Sequence, residues 1–387
     1  MRKGMFMMGM ALLLLLSAGC RKQGEPERIF NRKYLKVIKD ARKEAFFYLG
    51  RNFVPGGSIA LSIDGKLVWS EGMGQASVDL EVPATRFTKY RAGEISQLLT
   101  SLAFYRMAEA GMVDPKAEVR QYLPEFPEKG YPLMLQHLAD HTSGIRPLNN
   151  EERFHRGLNT SIDMGIELFS QDTLLFPPGR YQYPTTFGYN LLGRVMEKVS
   201  GKPFSELISA WVTDTLGLEH TVPDNPLVSI KGRSAFYDRN LVAQTINAMT
   251  LDLRYRMPSD GYLSTAEDLV RLGNALLDSP ALSDSVRHRM LTAPMINNEM
   301  KGNMGNGLLF LADQEGKPFY AARGSITGSA ALLLIIPEEK MVLGWMTNLN
   351  DEGEELPGLK IAGMFHDFLK GNYVKADKGI QQDKKTE

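Results

Sequence analysis

From about Arg28 to Arg51, apolar positions in "FNRKYLKVIKDARKEAFFYLG" recur three and four residues apart and stop at Gly50. This spacing predicts an amphipathic helix. The next stretch, "GGSIALSIDGKLVWSEGMGQA", alternates apolar and polar positions on both sides of Asp64-Gly65. It predicts a β-hairpin, since an Asp-Gly pair suits its tight turn. From about Gly93 to Ala248 the pattern is mostly helical segments broken by Pro and Gly, among them the helix of "RAGEISQLLTSLAFYRMAEAG", residues 91–111. Near the C-terminus "SAALLLIIPEEKMVLGWMTN" gives two apolar strands around a Pro-Glu-Glu turn, and "LPGLKIAGMFHDFLKG" gives a closing helix. Strands at both ends with helices between them predict an α+β body whose sheet is built from the two ends of the chain.

The far N-terminus adds a compartment. Arg2 and Lys3 precede an apolar run from Met5 to Leu16, and Ser17, Ala18 and Gly19 lead into Cys20, the only cysteine of the 387 residues. Basic residues, an apolar core and a small-residue junction form a secretory signal, assigned to residues 1–19. The "LSAGC" junction resembles the bacterial lipobox, whose cysteine becomes the lipidated N-terminus after cleavage. The apolar run is shorter than the roughly 20 residues that cross a bilayer, which favours a lipid anchor over a transmembrane one. These features predict a bacterial cell-envelope protein held at the membrane by lipid on Cys20. Residues 20–27 read as a polar tether, and 372–387 as a flexible tail. One cysteine permits no disulfide within the chain, so stability must come from the core. The formal net charge is zero, and losing Arg2 and Lys3 leaves the remainder slightly acidic, which gives no electrostatic case for nucleic acid.

Between these ends the sequence resembles the β-lactamase-related serine hydrolases, the group of class C β-lactamases, penicillin-binding D,D-peptidases and related esterases. The resemblance rests on "VPGGSIALSIDGKLVWSEGMGQA", "EVRQYLPEFPEKGYP", "LQHLADHTSGI", "GYNLLGRVMEKVSGKPFSELI", "GYLSTAEDLVRLGNALL" and the closing strand pair, in order, from about Arg28 to Gly371. It implies an antiparallel sheet flanked by helices, with an inserted, mostly helical lobe. The α/β lobe is expected over about 28–92 and 258–371, the helical lobe over about 93–257, and an active site in the cleft between them. The family's chemistry uses a serine at a helix start and a lysine one turn later. It also uses a tyrosine or serine on a neighbouring loop with an asparagine two residues on, and a lysine or histidine followed by glycine on an edge strand.

This chain departs from that pattern at nearly every polar position. Glu94 stands at the serine position and Gln97 at the lysine position. A carboxylate near its ordinary pKa has no proton to give up, and an amide accepts none near neutrality. Ser96 is no substitute, because two helical residues turn it about 200° from position 94. In "PPGRYQYPTTFGYNLLG" either Tyr183 or Pro184 falls at the tyrosine position, with Thr185 or Thr186 at that of the asparagine. On the edge strand Ala322, Arg323 and Gly324 match the cationic residue, the small residue and the glycine, and a one-residue shift makes Arg323 the cation. Purely structural roles account for several of these residues. Glu94 suits the positive end of a helix, and Gln97, on the same face, is placed to hydrogen-bond to it. His137 and His141 have zinc-like spacing but lack the metalloprotease glutamate, so no metal or other cofactor is implied.

Two functional readings follow. In one, the chain keeps the hydrolase fold as a pseudoenzyme and binds a peptidoglycan-like ligand or an envelope protein. In the other, it is a hydrolase with a non-standard catalytic set, Glu94 acting as a general base toward water.

Overall fold

The computed structural model describes residues 27–154, 161–297, 299–350 and 356–373. The signal segment, Cys20 and most of the C-terminal tail lie outside these residues.

Strands β1 (Ile29–Phe30), β2 (Gly56–Ile63), β3 (Lys66–Ser77) and β4 (Val82–Pro83) come from the N-terminal part of the chain. Strands β5 (Met304–Gly305), β6 (Leu308–Ala312), β7 (Pro318–Ile326), β8 (Ser329–Ile336) and β9 (Met341–Thr347) come from the C-terminal part. They form one nine-stranded sheet in the order β1-β3-β2-β9-β8-β7-β6-β5, with β4 alongside β3. Every neighbour is antiparallel. The expected hairpin is present, and its turn places Asp64 at φ 51° and Gly65 at φ 70°. Two successive positive φ values are what a two-residue hairpin of this twist requires.

The N-terminal helix starts later than the periodicity predicts. Helix α1 runs Leu35–Arg51, because Ile29 and Phe30 instead pair with Ser70 and Trp69 of β3. The Asn31 carboxamide then caps a single 3-10 turn by accepting from the Lys33 N–H. An Asx cap followed by chain reversal suits a polar residue between two packed elements.

The central strands are apolar on both faces, because each face has its own core. Met341, Leu343 and Trp345 of β9 join Leu332 and Leu334 of β8 beneath α1 and the closing helix, which runs Gly358–Leu369. Val342 and Met346 face the other way, with Leu333 and Ile335, onto a helix at Ala266–Leu277 that carries Leu269, Val270 and Leu272. Alternate residues of a strand point to opposite faces, so a continuous apolar run fills both cores. The second core extends through the helices at Ser96–Glu109 (α2) and Thr186–Ser200 (α3).

Strand β7 meets the turn that opens α2 at a distance no side chain permits. A Cβ on Gly324 would lie 1.9 Å from the Ala92 carbonyl oxygen, and one on Gly93 (φ 55°) would lie 3.0 Å from the Gly324 Cα. Gly324→Ala is therefore expected to cost about 1–3 kcal/mol or more through forced separation of these segments. Urea unfolding checks this, and a midpoint unchanged from wild type would show that the two backbones do not pack so closely.

Candidate functional site

The turn at Gly93–Ile95, the start of α3 and the end of β7 border a cavity of about 510 Å³. Glu94, Gln97, Pro184, Thr185, Thr186 and Ser325 line it, together with Arg153, Arg256, Asp238 and Asp260.

Glu94 is largely buried, and its carboxylate is held by backbone. The Ser325 N–H donates to Glu94 Oε2 at 2.8 Å, and the amide of Glu94 itself also hydrogen-bonds the carboxylate. Two convergent backbone amides are the device that acyl-transfer enzymes aim at a developing oxyanion. Here the side chain of residue 94 occupies both. Burial raises the Glu94 pKa, while the two amide bonds and the Arg256 and Arg153 charges oppose the rise. The expectation that Glu94 titrates near its ordinary value is thus corrected, because desolvation outweighs the hydrogen bonds.

Gln97 makes no partner of Glu94, contrary to expectation. Its Nε2 donates to Ser259 Oγ at 3.0 Å, and its Oε1 faces His141 Nε2 at 3.0 Å. The Thr185 N–H donates to the other ring nitrogen of His141, Nδ1, at 3.2 Å. That bond leaves the ring proton on Nε2, where it donates to Gln97. Burial pushes the His141 pKa down to about 4, in keeping with a neutral ring. A neutral chain therefore runs from Thr185 through His141 and Gln97 to Ser259, where the family pattern has a lysine. His141 is part of this chain as well as of its turn, with φ 57°.

The remaining positions scatter. Tyr183 is exposed and does not line the cavity, whereas Pro184, Thr185 and Thr186 do. The Thr185 hydroxyl turns back to donate to the Arg146 carbonyl at 2.7 Å. Ala322 is buried in the core, and Arg323 is exposed and does not line the cavity, so neither register of β7 brings a cation to it. Gly324 is retained for the close approach described above. Ser96 is buried, accepting from the Tyr262 N–H at 3.3 Å, and faces away from the cavity. His137 accepts from the Met134 N–H, and burial pushes its pKa down to about 4. Among the described residues no group of three or more His, Cys, Asp or Glu side chains is arranged to hold a metal ion.

Four charged residues of the lining escaped the sequence reading. Arg256 and Asp260 are buried and paired at 3.3 Å across one helical turn, and Arg153 and Asp238 also line the cavity. Burial pushes the Asp260 pKa up to about 7, with Arg256 opposing and Glu94 adding to the rise. The only sequence signal of the Arg256–Asp260 pair is the i,i+4 spacing in "RMPSD", which many surface helices share.

A family model described as Beta-lactamase matches residues 45–363. The chain belongs to that family. The human protein named "Serine beta-lactamase-like protein LACTB, mitochondrial" is 28% identical over 379 residues, covering 74% of this chain and 69% of that protein. Among solved structures, the octameric penicillin-binding protein homologue from Pyrococcus abyssi superposes with TM-score 0.75 at 24% identity, covering 86% of this chain and 77% of that one. FmtA from Staphylococcus aureus superposes with TM-score 0.72 at 20% identity, covering 92% and 96%. At such identities these two likenesses concern the fold, which is the β-lactamase and transpeptidase-like arrangement of sheet and helices.

The Asp260 environment gives a pH signature. Its folded pKa, about 7, lies above its ordinary value of 3.8, so the folded chain holds the proton more tightly. Ionisation then costs stability progressively as pH rises between these values, and the cost is fully present above them. Asp260→Asn removes this titration. The unfolding free energy of the variant minus that of wild type should climb from pH 4 to pH 8, by at most about 1.4 kcal/mol per pH unit, whatever constant offset follows from leaving Arg256 without its partner. Parallel curves in urea unfolding would remove Asp260 as a perturbed group.

Proposed function

We propose that the protein is a non-acylating member of its family, a pseudoenzyme that uses the cleft to bind a ligand or partner at the bacterial cell envelope, held there by lipid on Cys20. The observation that carries this reading is the 2.8 Å bond from the Ser325 amide to the Glu94 carboxylate. A carboxyl group, which offers no hydroxyl or thiol nucleophile, stands at the helix start, and it fills the amide pair that would steady an oxyanion. Gln97 supplies no base, and among the described residues no lysine lines the cavity. A peptidoglycan-like ligand or an envelope protein is the expected occupant.

The general-base reading is weaker on the same geometry. Hydrolysis by a water activated at Glu94 needs donors to polarise the substrate carbonyl, and the two available amides already hold the base itself.

Incubation with a fluorescent penicillin and with a fluorophosphonate should label nothing, and a panel of small esters should show no turnover above that of Glu94→Gln. Stoichiometric labelling at any mapped residue, or ester turnover abolished by Glu94→Gln, would overturn the proposal. Restoring Glu94→Ser with Gln97→Lys should still yield little activity. The new ammonium would face the Nε2–H of His141, itself a donor, and Pro184 and Ala322 leave the other catalytic positions empty of function.

The anchor is tested separately. Metabolic labelling with a fatty acid should tag the wild-type protein, and Cys20→Ala should abolish the tag. An untagged wild type, or a variant tagged equally, would refute lipidation at Cys20.

A further inference from the structure

We propose that the folded body docks on a bilayer of anionic lipid through the outward face of α1 and the adjoining hairpin of Tyr237–Arg239 with Thr245–Asn247. Single exposed apolar side chains are ordinary on a protein surface, but a cluster of them with a polar rim marks an interaction site. At the C-terminal end of α1 the rings of Phe47 and Phe53 are 61% and 69% exposed, beside the partly exposed Phe46. At the hairpin tip Leu241 and Val242 are 106% and 71% exposed. The two apolar groups are joined. Thr245 Oγ1 donates to the Phe53 carbonyl at 3.2 Å, and the Arg239 guanidinium donates to the Asn52 carbonyl at 2.7 Å.

The surrounding charge selects the occupant. Lys36, Lys39, Lys43 and Arg51 are exposed along the same helix, whose two acidic residues, Asp40 and Glu44, pair with Lys43 and Lys360. Aromatic rings within a basic rim match the headgroup region of an anionic membrane, where rings enter the interface and ammonium groups meet phosphates.

The course of the chain points the same way. Arg28 lies 3.9 Å from Glu71, Glu71 accepts from Arg42 at 2.7 Å, and Arg42 sits 4.9 Å from the centre of the Phe46 ring. The chain therefore enters the fold beside this face. From Cys20 to Glu27 it extends at most roughly 25 Å, and the apolar run Met5–Leu16 precedes it. Docking would also orient the cleft, because Asp238 of the same hairpin lines the cavity. The inference does not depend on whether the cleft is catalytic.

The test uses the full chain with Cys20→Ser and a single reporter cysteine carrying an environment-sensitive fluorophore at Phe47→Cys, Leu241→Cys or Leu311→Cys. Leu311, on β6, lies five strands across the sheet from β3 and serves as the control. In vesicles containing phosphatidylglycerol and a lipid-borne quencher, the reporters at 47 and 241 should be quenched and shifted to the blue, and that at 311 should not. Lys39→Glu with Lys43→Glu should lower the docked fraction by roughly tenfold, as should replacing phosphatidylglycerol with phosphatidylcholine. Equal signals at all three positions, or quenching indifferent to charge, would overturn the proposal. A blue shift without vesicles that grows with protein concentration would assign the face to a second copy of the chain, and would also overturn it.

Discussion

Two backbones touch at the centre of this molecule, and the touch tolerates no side chain. Gly324 on β7 lies against the Ala92 carbonyl, and Gly93 lies against Gly324 in return. That contact brings the Ser325 amide within hydrogen-bonding distance of residue 94. It fixes where the helical segment begins relative to the sheet, and so fixes the cavity between them. The requirement is steric, and it is indifferent to which side chain follows Gly93. The backbone arrangement therefore does not depend on Glu94 being the residue at that place.

What Glu94 brings to the cavity is a titratable group. A carboxylate bonded to two amides is still desolvated, and a second buried acid, Asp260, shares its cavity with only Arg256 paired to it. Burial favours the neutral form of each acid, and Glu94 further disfavours the charge of Asp260. Behind them Gln97 and His141 carry partial charges only. The cleft thus combines a neutral rear wall with an acid–guanidinium floor, an arrangement suited to holding polar groups in place.

The sheet and both its cores were legible because their signals are local and redundant. Asp64-Gly65 specifies its turn, and runs such as "ALLLII" satisfy two cores at once. The positions of Glu94 and Gln97 were legible because Gly93 marks the turn and the helix after it has a strong apolar pattern. The start of α1 was misjudged since Ile29 and Phe30 fit a helical period as well as the edge pairing they adopt. Tyr183 and Pro184 differ by one residue in a loop without periodicity, so only the backbone decides between them. Arg153, Arg256 and Asp260 become neighbours of Glu94 through tertiary packing, and their local sequence does not distinguish them from solvated charges.

The sheet joins β2 to β9, pairing Leu61 with Leu343. Most of the chain lies between these partners, so the loop closed by their pairing is very long. Such contacts slow folding, because chain entropy is lost before the contacts reward it. During vectorial synthesis the early hairpin must wait with an unpaired edge until the last strands emerge. An apolar edge of this kind invites pairing with other chains. The final hundred residues therefore govern whether the first hundred stay soluble, and a nascent chain of this design has reason to be chaperoned until its end is free.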